Sequence, residues 1–287
     1  MTRVIDAHHH LWDPARADYP WLTDALGSIR RRFGPEDLAP RLAAAGVDRT
    51  ILVQTRSSLQ ETREFLATAA ATPFIAGVIG WVDLTNPGVG DTIAQLRADP
   101  GGDRLVGIRH QVHDELDPDW LLRPDVRRGL SAVGRAGLVY DLLVRPRELP
   151  AAIAITRASL EIRFVLDHLA EPPIASGNSE PWSTLLGAFA PLEHVAVKLS
   201  GLVTEADWAT WTIKNLRPYS DRALEVFGPG RMLFGSDWPV CLLAASYEVV
   251  ADTARTLMAG LTLGEQGAVF GGTAERVYRL SPGRPLS

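Results

Sequence analysis

Three consecutive histidines, His8-His9-His10, are the residues best equipped for chemistry near the start of this chain. They follow Val4-Ile5-Asp6-Ala7 and precede Leu11-Trp12-Asp13-Pro14, so a strand runs into a loop here. Residues two apart on a strand share a face, which predicts Asp6, His8 and His10 on one side and His9 on the other. Two imidazoles leaving one strand end are half of a metal site. An expression tag would be a longer run and would not grow out of Val-Ile-Asp-Ala.

The elements that must position these histidines alternate along all 287 residues. After the first strand, apolar stretches read as strands at Arg49–Gln54, Phe74–Val82, Leu105–His110, Leu138–Val144, Ile162–His168, Val195–Gly201 and Met232–Asp237. Between them lie helical segments with legible ends. Pro35 opens one that stops at Gly46, and Ser57 or Ser58 caps the next, with Glu61 placed for a capping box. Others run from about Gly90 to Ala98, from Asp125 to near Gly137, onward from Pro146, and to near Gly228. Tyr247 to Leu280 reads as two helices broken around Gly260 to Gly264, and the Pro172–Pro181 loop is long enough to be a lid or rim. Eight strand–helix units of about 30 residues each predict an α/β chain folded as one (β/α)8 barrel spanning 1–287. A doubly wound open sheet is the alternative, but no G-x-G-x-x-G turn follows the first strand.

Composition narrows the function. A hydrophobic fraction of 46% fits an ordinary globular core, and a formal net charge of −5 argues against nucleic-acid or anionic-membrane partners. No apolar run is long enough to span a bilayer, and the early histidines leave no room for a signal peptide. Cys241 is the only cysteine, which excludes an internal disulfide and fits a small core residue. A cytoplasmic protein is the expectation, with oligomeric state open.

In such barrels the chemistry sits at the carboxyl ends of the strands. Those ends supply His8, His10, Gln54, Trp81, Asp83, Arg109, His110, Asp141, Asp167, His168, Lys198 and Asp237. Arg109 and Lys198 suit a carboxylate or dense hydroxyls, with a salt bridge inside the mouth as the other role for Lys198. His113 and His194 are expected to be structural, and Arg30-Arg31-Arg32 a solvated patch.

The opening Asp6-Ala7-His8-His9-His10-Leu11-Trp12-Asp13-Pro14 resembles the first-strand His-x-His of the amidohydrolase superfamily. More narrowly it resembles the lactonase branch that hydrolyses L-fuconolactone, L-rhamnonolactone and 2-pyrone-4,6-dicarboxylate. Tyr19-Pro20-Trp21-Leu22, Gly107-Ile108-Arg109-His110, Leu166-Asp167-His168-Leu169-Ala170-Glu171-Pro172-Pro173, Lys198-Leu199-Ser200-Gly201, Phe234-Gly235-Ser236-Asp237-Trp238-Pro239 and the tail Phe270–Tyr278 carry the likeness to the end. Two features depart from the two-metal pattern. The fourth strand lacks a bridging lysine or glutamate, and no histidine follows the fifth, where Leu138-Val139-Tyr140-Asp141 stands.

The resemblance therefore implies at most one divalent ion, zinc first, held by His8, His10, His168 and Asp237. Since pyrone lactonases work without metal, it leaves open whether the ion is required. It implies opening of a small-molecule sugar lactone with Asp237 as general base, and with His168 and Arg109 as further catalytic groups. Lys198, His110, Trp12, Trp81 and Trp238 are the candidates for holding substrate. A lactone isomerase, a decarboxylase or a silent ligand-binding barrel stays open as the alternative, because fold alone does not set reaction.

Overall fold

The computed structural model describes residues 3–281. Eight strands form one sheet: Ile5–His9 (β1), Arg49–Val53 (β2), Ile75–Gly80 (β3), Leu105–Gln111 (β4), Val139–Leu143 (β5), Phe164–Leu166 (β6), Val195–Leu199 (β7) and Met232–Phe234 (β8). Each pairs in parallel with the next in sequence. The ring is completed by a parallel bridge between His9 and Trp238, with His10 N donating to Trp238 O at 2.6 Å and Asp237 N to His8 O at 2.8 Å. The expected (β/α)8 barrel is the fold. No helix among the described residues is long and apolar enough to cross a membrane.

Two apolar layers hold it. Ile5, Ala7, Ile51, Val53, Val139, Val165, Ala196 and Leu233 fill the barrel, and Ala274, Val277 and Tyr278 from the last helical segment pack with them. The opposite faces of the strands, including Leu52, Ile108, Leu166 and Phe234, pack against the helices through Leu38, Phe65, Leu130 and Leu216. Burying a side chain of this size contributes about 1.5–3 kcal/mol, so both layers fix the strand ends firmly.

The helices are Pro35–Ala45 (α1), Leu59–Ala71 (α2), Val89–Ala98 (α3), Pro124–Arg135 (α4), Leu149–Ala158 (α5), Trp182–Gly187 (α6), Ile213–Phe227 (α7) and Tyr247–Leu257 (α8), and all but α6 lie where sequence punctuation places them. Pro35 sits at the first position of α1, and Gly46 ends it at φ 63°, where a Cβ would be strained. Ser58 caps α2 through its Oγ, which accepts from Glu61 N at 3.2 Å. Glu61 does not close the expected capping box. Its carboxylate instead accepts from Thr55 N, Arg56 N and the Thr55 hydroxyl, because the turn after β2 leaves those donors without a backbone partner.

Three strand ends at the site differ most from the sequence reading, and one of them is β8, which stops at Phe234 rather than at Asp237. The β1–β2 register shifts between Asp6 and His9, so strict alternation fails. Asp6 does not join His8 and His10; it accepts from Ser236 N and Oγ and from Tyr247 on α8, pinning β1 to the exit of β8. β6 stops at Leu166 rather than at His168, because His168, Leu169, Ala170 and Glu171 all take positive φ, between 46° and 63°. Such a run costs roughly 1–2 kcal/mol per residue. It is held by Trp182 Nε1 donating to Leu169 O at 2.6 Å and by the partners of its two end side chains.

Candidate active site

The barrel mouth gathers its polar groups from nearly every strand. His8 lies one residue before the end of β1 and is fully buried, His168 follows β6, and Asp237 follows β8 at φ 57°. One ligand atom from each of these three lies within 4.8 Å of the other two. His8 Nε2 is 3.8 Å and His168 Nε2 3.9 Å from Asp237 Oδ1. His10 reaches the same place, its Nε2 being 3.1 Å from His8 Nε2 and 3.4 Å from Asp237 Oδ1.

Two glycines make this convergence sterically feasible. A Cβ on Gly201, whose φ is +70°, would stand 2.7 Å from His168 Nδ1, and one on Gly235 would stand 2.7 Å from His8 Cβ. The Ser200-Gly201 and Gly235-Ser236 pairs of the sequence motifs therefore clear space for the two rings. Ser200 Oγ, 2.8 Å from His168 Nδ1, also orients one of them.

The protonation pattern suits a cation. His10 Nδ1 lies 2.8 Å from the carbonyl of Val53, so the proton sits on Nδ1 and the Nε2 lone pair faces the site. Burial lowers the pKa of His8, His10 and His168, that of His10 to about 3, which keeps the rings neutral. Both ring nitrogens of His8 face a donor, Arg109 Nη1 lying 3.2 Å from Nε2 and Lys198 Nζ 3.2 Å from Nδ1. Burial raises Asp237 to about 6 despite the nearby His168 and Arg109. His8, His168 and Asp237, with Ser200 and Asp167 behind the two rings, form a buried group of nitrogen and oxygen donors that could hold a metal ion.

Beneath the mouth lies a closed charge network. Lys198 Nζ is 2.5 Å from Asp141 Oδ2 and 2.9 Å from Asp167 Oδ1, all three residues having no exposed surface. Arg109 donates to Asp167 Oδ2 at 3.0 Å and to the carbonyl and side-chain oxygens of Gln54. Burial alone would raise the Asp167 carboxyl, but Lys198, His8 and Arg109 hold it well below the usual range. Asp141 is raised to about 6 by burial and by the neighbouring Asp167 charge, and Tyr278 donates to it.

A cavity of about 320 Å³ opens above these groups. His10, Arg109, His168 and Asp237 form its floor end, and loops after β4 to β8 and β1 form its walls. Five residues expected to hold substrate do not line it. Lys198 lies below, consumed by the two aspartates. His110 is locked sideways: Trp81 Nε1 donates to its Nδ1 at 3.0 Å, its Nε2 meets Glu115 at 2.8 Å, and its ring stacks on Trp120. Trp81 is committed to that contact. Trp12 donates to Ile29 O and faces a separate cavity of about 400 Å³ that contains none of the site histidines. Trp238 is buried edge-on against Phe33.

Other residues take those places. Trp21, Leu26, Gln111, His113, Arg145, Glu171, Glu205 and Trp208 all line the cavity. Trp21 and Glu171 lie inside the motifs that carry the family likeness. Glu205 and Trp208 carried no sequence signal beyond following a strand. His113, expected to be structural, pairs with Glu171 at 3.0 Å in the cavity wall.

Comparison with known proteins agrees with this geometry. The chain is 39% identical over 284 residues to the L-fucono-1,5-lactonase of Burkholderia ambifaria, covering 98% of this chain and 97% of that one. Crystal structures of an amidohydrolase from Burkholderia multivorans superpose with TM-scores of 0.92 (with bound HEPES) and 0.91 (with bound zinc). Each is 38% identical and covers 97% of this chain and all of its own. The amidohydrolase family model matches residues 5–280, and with relatives of this identity and coverage the chain belongs to the amidohydrolase family.

Proposed function

We propose that this protein is a sugar lactonase that hydrolyses an uncharged aldonolactone, of the kind that names its L-fucono-1,5-lactonase relatives. The observation that carries the reading is Asp237, a carboxylate facing His8, His10 and His168 at the floor of a cavity large enough for one sugar ring. Charge selects among lactones. The cations expected to grip a substrate carboxylate, Arg109 and Lys198, are both paired to buried aspartates. A neutral substrate fits better than a dicarboxylate.

Hydrolysis forms one bond, from water oxygen to the ring carbonyl carbon, and breaks the ring carbon–oxygen bond. Asp237 takes the proton from the attacking water and returns it to the departing ring oxygen, which leaves as a hydroxyl. A carboxyl raised to about 6 is ionised at neutral pH yet basic enough for this exchange. Arg109, fixed by Gln54 and Asp167, aims positive charge at the floor where the carbonyl oxygen becomes negative. His8, His168 and Asp237, supported by His10, would hold one divalent ion, and their mixed nitrogen and oxygen donors suit zinc. Such an ion supplies a Lewis acid for the carbonyl and lowers the pKa of water.

The test is a pH-indicator screen of aldonolactones and dicarboxylate lactones, with and without chelator and with added zinc. Release of one acid per turnover from an aldonolactone is expected. No acid from any lactone, with or without zinc, would refute the reading.

A further inference from the structure

The cavity has two chemically distinct walls, and topology separates them. The loops after β8 and β1 are neighbours in the ring and contribute Val240, Leu243, Trp21 and Leu26. The loops after β4 to β7 contribute Gln111, His113, Arg145, Glu171 and Glu205. One wall is apolar, and the other is dense in hydrogen-bonding groups.

Within the polar wall the carboxyls are not equivalent. Glu171 is buried and partnered: Arg145 Nε donates to it at 2.8 Å and His113 Nδ1 lies 3.0 Å away. These partners overcome its burial and hold it below the usual carboxylate range. Glu205 is half-buried, and its side chain has no hydrogen-bond partner among the described residues. Its backbone is nevertheless fixed, Glu205 N donating to Gly201 O and Glu205 O accepting from Ala175 N. Burial and the Glu171 charge push its carboxyl up to about 8. A carboxyl on a fixed backbone at a cavity wall, with Arg145 near but no hydrogen-bond partner, carries a desolvation cost that a ligand hydroxyl would relieve.

We propose that Glu205, beside Glu171, is the specificity-determining residue that reads adjacent hydroxyls of an uncharged polyhydroxy lactone and disfavours lactones bearing a carboxylate. The pair offers complementary roles. Glu171 accepts, and Glu205 donates or accepts as the hydroxyl requires. The carboxyl groups of Asp114, Glu171, Glu205 and Asp237 line the cavity together with the guanidinium groups of Arg109 and Arg145, both of which are already paired to carboxylates. The inference rests on the lactonase reading above, and its test separates the two.

The experiment measures kcat and KM on L-galactonolactone, on δ-valerolactone, which carries no hydroxyls, and on glucarolactone, which carries a carboxylate. Glu205→Leu should lower kcat/KM on L-galactonolactone at least about tenfold more than on δ-valerolactone, mostly through KM, as expected when a hydroxyl loses its partner. Glu205→Gln, which keeps shape and hydrogen bonding, should recover most of that loss and, above pH 8 where the Glu205 carboxyl is ionised, improve use of glucarolactone severalfold. A thermal melt of each variant checks folding. Equal losses on L-galactonolactone and δ-valerolactone, or no recovery in Glu205→Gln, would overturn the assignment of Glu205. Inactivity of the wild-type protein on all three lactones would instead overturn the lactonase reading, and this inference with it.

Discussion

Lys198→Met separates a structural from a substrate-binding lysine. The ammonium sits 2.5 Å from Asp141 and 2.9 Å from Asp167, with none of the three exposed. Methionine fills similar space but leaves two buried carboxylates facing each other. Removing one partner of a buried ion pair costs roughly 3–5 kcal/mol. In a domain of this size each kcal/mol moves Tm by about 2–4 °C, so a fall of roughly 6–20 °C is expected. The sign with pH follows from the carboxylates. In the wild type, Asp167 is held below its usual value, so its contribution is present at neutral pH and is lost as pH falls. Without Lys198, burial and mutual repulsion raise the two carboxyls above their unfolded values, a contribution kept at low pH and lost as pH rises. The deficit of the variant should therefore be larger at pH 8 than at pH 5. Melts at both values, with KM measured on the lactone, decide the matter. A Tm close to wild type together with a raised KM would refute the argument and return Lys198 to the substrate.

Asp237→Asn keeps the shape but cannot take the water's proton; kcat should fall at least about a hundredfold with a smaller change in KM, and near-normal kcat would move the base to another group. In wild-type protein stripped of metal, any residual activity should rise through about pH 6 as Asp237 ionises, and that limb should vanish in the variant. Gly201→Ala places a Cβ 2.7 Å from His168 Nδ1 at a positive φ, so it should cost about 1–2 kcal/mol in stability and, by displacing the ring, about a hundredfold in kcat. An unchanged kcat would show that the His168 position is not critical. In protein stripped of metal, the aldonate product should inhibit poorly, with an inhibition constant at least about tenfold above KM; tighter product binding there would contradict the charge balance assigned to the cavity.

The barrel was legible because its signals are local. Short apolar runs, Pro35 before α1, Gly46 after it and the Ser58 cap each act within a turn, and eight such units admit few arrangements. The convergence of His8, His10, His168 and Asp237 was legible for the same reason, since a strand end in a barrel has only one mouth to face. What the sequence hid was direction. His110 follows Arg109 by one residue and so leaves the opposite face of β4, toward Trp81 and Trp120, while Gln111 turns back to the cavity. The bulge in β1 and the left-handed turn at His168–Glu171 break alternation where it mattered most. Tryptophan identity misled as well. Trp12 and Trp238 are core, and Trp21 and Trp208, deeper in their loops, face the cavity.

These departures share a logic, which is the placement of negative charge. Lys198 is satisfied below the cavity floor by Asp141 and Asp167, and Arg109, at the floor itself, is paired to Asp167. The costly left-handed turn then carries Glu171 into the wall, and the β7 loop adds Glu205 and Asp237 follows β8. On the reading proposed above, a mouth of this sign would draw a divalent cation to His8, His168 and Asp237 and admit a neutral lactone. Hydrolysis converts that neutral ligand into a carboxylate inside a partly desolvated cavity, where repulsion between like charges is stronger than in water. On that reading the reaction creates a charge that the carboxylates of the wall oppose, and the turn at His168–Glu171, which places Glu171 there, would contribute to turnover as well as to recognition.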